Sequence, residues 1–474
     1  MLLVATKTLA HDVELPTRTP LLEKLQEKGL MPLVRSARLH AYEVALLGAE
    51  RTSELERAVA AQADAEGEAP YVRGDLFCFE DFVHFLIFAD GGAPTAQLRA
   101  GIVYEPDTPD PRGKLDAFCR NVFDALEAAR GFSNLKAAGA LLEVQWQEPD
   151  ADAPEGFARF AAEGAQESTR NAVVADWLHV AGMLENTEAR HILRRLVEAQ
   201  REGRTGAGVV GLEREGVAES LLERLAGVGL IKRQVLVSCR KDGRSLFRLP
   251  SADALHVLNA SNAVCSECGA SIADEKADEI TVPTSLTTTL LQDGSWLTTH
   301  LRSILVGLGV PEAQIETRPV SGEGESRAMA HLCGETFLFL LRDGDWTGAD
   351  ARRSVEEQAR TDAAHLVIIA TGKIQDEARQ RLREHARRRA HGRTGAPDAL
   401  FIEGMETVAP ELQQAFERVA LGALNDELWP LDAGLGLNAA QLVAARFRLL
   451  QHTGALRELA ASAAGALAGS LREV

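Results

Sequence analysis

Cys265-Ser-Glu-Cys268-Gly places two thiols three residues apart, the spacing at which a tight turn lets two thiolates hold one side of a tetrahedral zinc ion. A second pair of ligands is required. Upstream, Cys239-Arg-Lys-Asp242-Gly repeats the form with aspartate in place of the second cysteine. Carboxylate is an accepted zinc ligand, although harder than thiolate. Cys239, Asp242, Cys265 and Cys268 therefore make the candidate metal set, and His256 is a nearby alternative for the fourth position. The competing reading is a pair of turns that has lost its zinc and keeps its shape by packing. The other three cysteines, Cys78, Cys119 and Cys333, sit among apolar residues and read as buried packing residues. Six cysteines in 474 residues do not suggest a disulfide framework.

The elements around the first knuckle form a module. Asn171 to Met183, Glu188 to Glu202 and Glu213 to Leu225 have helical periodicity, the second entered through Asn186-Thr187 as a cap. Ile231 to Ser238 and Arg244 to Leu249 follow as two short strands. Three helices and a two-stranded wing resemble a winged helix, and the wing with its two knuckles resembles a zinc ribbon fused to it. The resemblance implies that the third helix reads DNA. Here that helix carries Glu213, Glu215, Glu219 and Glu223 against Arg214 and Arg224, a balance poorly suited to a polyanion. Contact with protein or with DNA through Arg214, Lys232 and Arg233 are both open from the residues.

Further along, Ala328 to Leu332 and Phe337 to Leu341 are strand-like runs joined by a turn at Gly334. Asp350 to Arg360 is helix-like, and His365 to Ala370 is a second buried-type strand, so the spacing predicts a parallel crossover. Hairpin plus crossover resembles the restriction-endonuclease-like superfamily, the PD-(D/E)XK nucleases, over about a quarter of the chain. Members of that family hold a divalent metal on two carboxylates beside a lysine. Laid over their pattern, the metal-binding Asp falls at Arg327, the Glu at Leu340 and the Lys at Arg342. Leucine cannot ligate a hard cation and arginine repels one, so the resemblance implies a degenerate nuclease site. A relocated site is the alternative, drawing on Glu325, Glu335, Asp343, Asp345 or, on the crossover helix, Glu356 and Glu357. The bland reading of the helix pair is a solvated face beside Arg352 and Arg353.

The formal charge of −18 opposes nonspecific attraction to nucleic acid, so any such contact is local. Arg379 to Arg393 carries seven arginines against the single acidic Glu384. On a helix, Arg381, His385 and Arg388 share one face, which either binds phosphates or an acidic partner or is a solvated helix end. Residues 1–148 mix strands and helices with no phosphate loop or catalytic triad; His11-Asp12 and Asp81 read as surface or capping residues. No signal-peptide-like window and no apolar run of ~18 residues is present, from which a cytoplasmic protein with no membrane partner is expected.

The expected architecture is multidomain α/β. An N-terminal α/β domain (1–148) leads through a linker rich in Pro, Gly and acids (149–168) to the winged helix (169–250) with its zinc-ribbon-like insert (239–272). A restriction-endonuclease-like α/β domain with C-terminal helices (284–474) completes it. Together the resemblances imply a noncatalytic nucleic-acid-associated or scaffold protein, similar to accessory proteins of bacterial restriction or antiphage defence modules and working among protein partners. A metal-dependent nuclease with relocated carboxylates and a winged-helix transcriptional regulator are the alternatives.

Overall fold

The run Phe-Val-His-Phe-Leu-Ile-Phe at 82–88 has a single polar residue, the pattern of a strand covered on both faces. It lies in one of two units into which the chain divides, Met1–Asp152 with Gln413–Val474, and Ala153–Leu412. The structure is a computed structural model that describes residues 1–46, 48, 50–66, 71–90, 95–129, 146–147, 154–167, 180, 182–202, 219–251, 253–254, 263–292, 294–319, 325–390, 399–436 and 438–450.

In the first unit, β1 (Leu3–Glu14), β2 (Gly74–Cys78), β3 (Phe82–Asp90), β4 (Thr95–Tyr104) and β5 (Trp146–Gln147) form an antiparallel sheet ordered β2-β3-β4-β1-β5. The described helices before the C-terminal segment are α1 (Arg18–Glu27), α2 (Leu33–Leu46), α3 (Thr52–Glu66) and α4 (Pro111–Ala129). Leu86 and Phe88 of β3 meet Leu21, Leu22 and Leu25 of α1 and Leu115, Phe118 and Val122 of α4 in one core layer. The start of α2 is tied to the sheet by Asp75, which is fully buried and accepts from the backbone N–H of Val34 at 2.7 Å and of Arg35 at 2.9 Å. These are donors that a helix N-terminus otherwise leaves unpaired.

Residues 149–168 were expected to be a linker, but Glu155–Glu167 is a helix, α5. Its Phe157 and Phe160 are buried against Met329, Leu338, Leu340 and Ile368. Pro154 and Glu155, read as loop residues, suit a helix start, where a missing N–H costs nothing and an acid meets the helix dipole. Gly156 is obligatory for close approach, since a Cβ there would lie 1.8 Å from the carbonyl oxygen of Thr361.

After α6 (Thr187–Arg201), capped as expected by Asn186, and α7 (Glu219–Gly227), a small antiparallel sheet forms. Its strands are β6 (Ile231–Ser238), β7 (Ser245–Leu249) and β8 (Lys276–Pro283), in the order β7-β6-β8. The two strands expected as a wing are thus joined by a third, which returns after the second knuckle and was not expected. The first expected helix lies almost wholly outside the described residues, as does the third before Glu219.

Helices α8 (Ser285–Gln292) and α9 (Ser295–Gly307) lead to the second sheet of this unit. Its elements are β9 (Ile315–Pro319), β10 (Glu325–Leu332), β11 (Glu335–Arg342), α10 (Gly348–Thr361), β12 (His365–Ala370), α11 (Asp376–Ala390) and β13 (Ala399–Glu403). The order is β13-β12-β11-β10-β9, with β11, β12 and β13 parallel and β9, β10 and β11 antiparallel. The expected hairpin and crossover are therefore both present. The hairpin turns through Cys333 and Gly334, both at positive φ (51° and 79°), the geometry that matches strand twist in a two-residue turn.

The last described long helix, α12 (Val408–Leu435), was expected to go with the domain 284–474, but from Gln413 onward it belongs to the first unit. Leu424, Leu428 and Leu431, with Val443 and Phe447 after it, cover Leu76, Val83, Phe85, Ile87 and Val103. These face away from the Leu86 layer, which explains why β3 is apolar at consecutive positions. Residues 451–474, the rest of the expected helical tail, lie outside the described residues.

Candidate metal centre

Both knuckles have the same backbone. The N–H of Gly243 donates to the carbonyl of Cys239 at 2.8 Å, and that of Gly269 to Cys265 at 2.9 Å, with each glycine at φ 75°. Only a residue without Cβ adopts that left-handed turn at no steric cost. Cys239 and Cys265 are buried with Val237 and Ile272, while Cys268 packs on the edge of this cluster. An Arg244–Glu267 ion pair at 3.3 Å joins one turn to the other.

Cys239, Cys265 and Cys268 converge with a fourth residue, Glu275, so that one ligand atom from each lies within 4.8 Å of all the others. The structure thus joins the three predicted cysteines but puts Glu275 where Asp242 was expected. Asp242 stays in its own turn, accepting from the N–H of Arg244 at 3.0 Å and from the Cys239 thiol. His256 lies outside the described residues. Glu275 was missed because nothing local marks it: it follows Cys268 by seven residues, within a stretch that reads simply as acidic and polar. The β6–β8 register supplies the missing signal, pairing Ser238, just before Cys239, with Lys276, just after Glu275.

The four side chains suit a cation chemically. The Cys268 thiol donates to Glu275 Oε1 at 2.9 Å, and this hydrogen bond pushes the thiol up to about 12. The same bond, helped by the Arg240 N–H at 2.5 Å from Oε2, holds Glu275 below the usual carboxylate range. A proton is therefore shared between groups that a divalent ion would bind deprotonated.

The positions expected from the nuclease pattern are brought together in a different way. Arg327 pairs across the hairpin with Leu340, and Glu325 with Arg342, so all four face α10. Leu340 is buried in the core. Arg342 binds Glu325 at 2.9 Å and Asp350 at 2.6 Å, and Arg353 contacts the same two carboxylates. Burial opposes ionisation of Asp350, but hydrogen bonds from Thr347 and the Arg342 charge outweigh it and hold the carboxyl below its usual range. Glu357, buried, is bound by Arg327 at 2.8 Å and Arg360 at 2.6 Å, whereas Glu356 next to it is exposed. The three carboxylates on this face thus meet four guanidinium groups.

Asp343 accepts from Thr371 and pairs with Arg194, Asp345 accepts from the N–H of Lys373, and Glu335 lies 3.9 Å from His365. Among the described residues the ribbon group is the one set of three or more His, Cys, Asp or Glu that converges as a metal site.

The candidate contact residues do not form one site. Lys232 and Arg233 are exposed on β6, with Arg233 3.7 Å from Glu279, and Arg214 lies outside the described residues. On α11, Arg381 is engaged by Glu377 and the Gly348 carbonyl, whereas Arg388 is exposed and bonds its own helix at the Glu384 carbonyl. Arg383, also exposed, lies over Phe401. Asp81 pairs with Lys114, a surface role, and the His11 side chain is not among those described. Of the three cysteines expected to be packing residues, Cys119 is buried, but Cys78 is exposed at the end of β2 and Cys333 sits in the hairpin turn. No described helix is long and apolar enough to cross a membrane.

Comparisons with protein-family models, with curated proteins and with solved structures find no match to this chain.

Proposed function

We propose that this chain is a noncatalytic, nucleic-acid-associated scaffold subunit of a multiprotein complex, in which a zinc-held ribbon accompanies a nuclease-like core that has given up its metal site. The observation that carries this reading is the arginine-lined sheet face. A catalytic magnesium ion needs free, hard carboxylate oxygens. Glu325, Asp350 and Glu357 are each bound by two guanidinium groups instead. A metal ion would have to displace guanidinium groups that already neutralise these carboxylates.

The soft donors are gathered in the ribbon, and thiolate-rich sites select zinc over magnesium or calcium. With four protein ligands such a site is closed: bound zinc supplies folding energy there and leaves no position for a reacting water. Against the net negative charge, the exposed Lys232, Arg383 and Arg388 offer local contact points for a polyanion or an acidic partner.

The reading is tested by incubating the purified chain with plasmid and magnesium or manganese, beside a Glu356→Ala/Glu357→Ala double variant. No cleavage by either protein is expected. Metal-dependent cleavage that disappears in the double variant would establish a relocated active site and overturn the proposal. Binding of a labelled duplex at low salt, weakening as salt rises, is expected from the nucleic-acid part of the reading; no binding at low salt would remove that part.

A further inference from the structure

We infer that Glu275 is the fourth ligand of the ribbon ion, binding through Oε1 alone, and that Asp242, which occupies the sequence position of a knuckle cysteine, is not a ligand. The inference rests on the zinc reading above and deepens it by fixing the donor set as three thiolates and one carboxylate.

Three observations carry it. First, the β6–β8 ladder pairs Ser238 with Lys276, so the next step of the antiparallel register sets Glu275 beside Cys239 without any help from an ion. A slip of one residue would bring Asp274 or Lys276 to that place, and the side chain would leave the opposite face of the strand. Second, the two Glu275 oxygens have separate partners. Oε2 accepts from the backbone N–H of Arg240 at 2.5 Å, and Oε1 is 2.9 Å from the Cys268 sulfur. The backbone bond orients the carboxylate and leaves Oε1 aimed among the thiols, where an ion would replace the thiol proton. Third, Asp242 touches Cys239 but is not in the set whose ligand atoms all lie within 4.8 Å of one another, and its Oδ1 accepts from the N–H of Arg244 at 3.0 Å. An aspartate holding the N–H two residues on is the ordinary way this side chain builds a turn.

The geometry also gives the ion a structural task. Its ligands come from the end of β6, from the second knuckle and from the residue before β8, so it would staple the central strand to the returning one.

The experiment uses the full-length chain, with zinc content after gel filtration, zinc affinity by chelator competition, and cobalt(II) substitution to read thiolate ligation optically. The wild-type chain is expected to hold one zinc per protein. Glu275→Ala should weaken binding by more than about 100-fold, beyond the 10–100-fold usual when an outer hydrogen-bond partner of a ligand is removed. Asp242→Asn should stay within about tenfold of wild type. Because Glu275→Ala could simply disorder the ribbon, Glu275→Cys is the second variant: it should restore binding and strengthen the thiolate-to-cobalt absorption. Loss of affinity in Asp242→Asn with Glu275→Ala unchanged overturns the assignment while leaving the zinc reading intact. So does Glu275→Cys binding cobalt with the wild-type spectrum. A wild-type chain that holds no zinc overturns the zinc reading itself, and the assignment with it.

Discussion

Asp75 and Asp350 are both buried carboxylates, and their surroundings push them in opposite directions. Asp350 has two arginines and the Thr347 cap, which hold it below its usual range. Asp75 accepts from the backbone N–H groups of Val34 and Arg35, but burial outweighs them and raises it from its ordinary 3.8 to about 6. The sign of its contribution follows from proton binding. Between about pH 4 and 6 the folded carboxyl keeps a proton that the unfolded one has lost, so stability falls as pH rises through that window. The displacement corresponds to about 3 kcal/mol, fully felt at neutral pH. Asp75→Asn is expected to remove this slope: urea unfolding of the first unit should show the wild type losing stability relative to the variant between pH 4 and 7. Parallel pH profiles for the two proteins would contradict it. Nothing in the sequence marks Asp75 as special, because its burial depends on α2 arriving over β2. The pairing of Arg327 with Leu340 and of Glu325 with Arg342, by contrast, follows from a hairpin whose turn is marked locally by Gly334.

Elements with a strong local signal read correctly, and those defined by their partners did not. The α10 helix was read from Asp350 and begins two residues earlier, behind a capping box of Thr347 and Asp350, and the β10–β11 turn was visible in Gly334. The segment 149–168 misled because Pro, Gly and acids dominate its composition, while two phenylalanines decide its fate. Phe157 and Phe160 make α5 part of the second core, and Arg318 and Arg360 both bind Glu163 on the same helix, at 2.8 and 2.6 Å. If this helix belongs to the core, Phe160→Ala should destabilise the second unit by about 3–5 kcal/mol, read as a lower urea midpoint. A change under about 0.5 kcal/mol, the usual effect of a surface substitution, would fit the linker reading instead.

At the scale of the whole chain, the mixed α/β character was legible but the assignment of its last segment was not. Apolar periodicity in α12 shows that a face is buried, not which sheet buries it, and the unit that does so lies more than three hundred residues back in the sequence. The same non-locality hid Glu275. Pattern located the knuckle cysteines, whereas the fourth donor is set by a strand that returns after both knuckles. Among the described residues the one converging set of metal-ligating side chains is Cys239, Cys265, Cys268 and Glu275, while the face of the β10–β11 hairpin towards α10 holds its carboxylates with arginine. Zinc K-edge X-ray absorption of the purified full-length chain tests that most directly. The prediction is a single shell of three sulfurs at about 2.3 Å and one oxygen at about 2.0 Å. A shell made of oxygen and nitrogen alone would contradict it, placing the ion away from the cysteines.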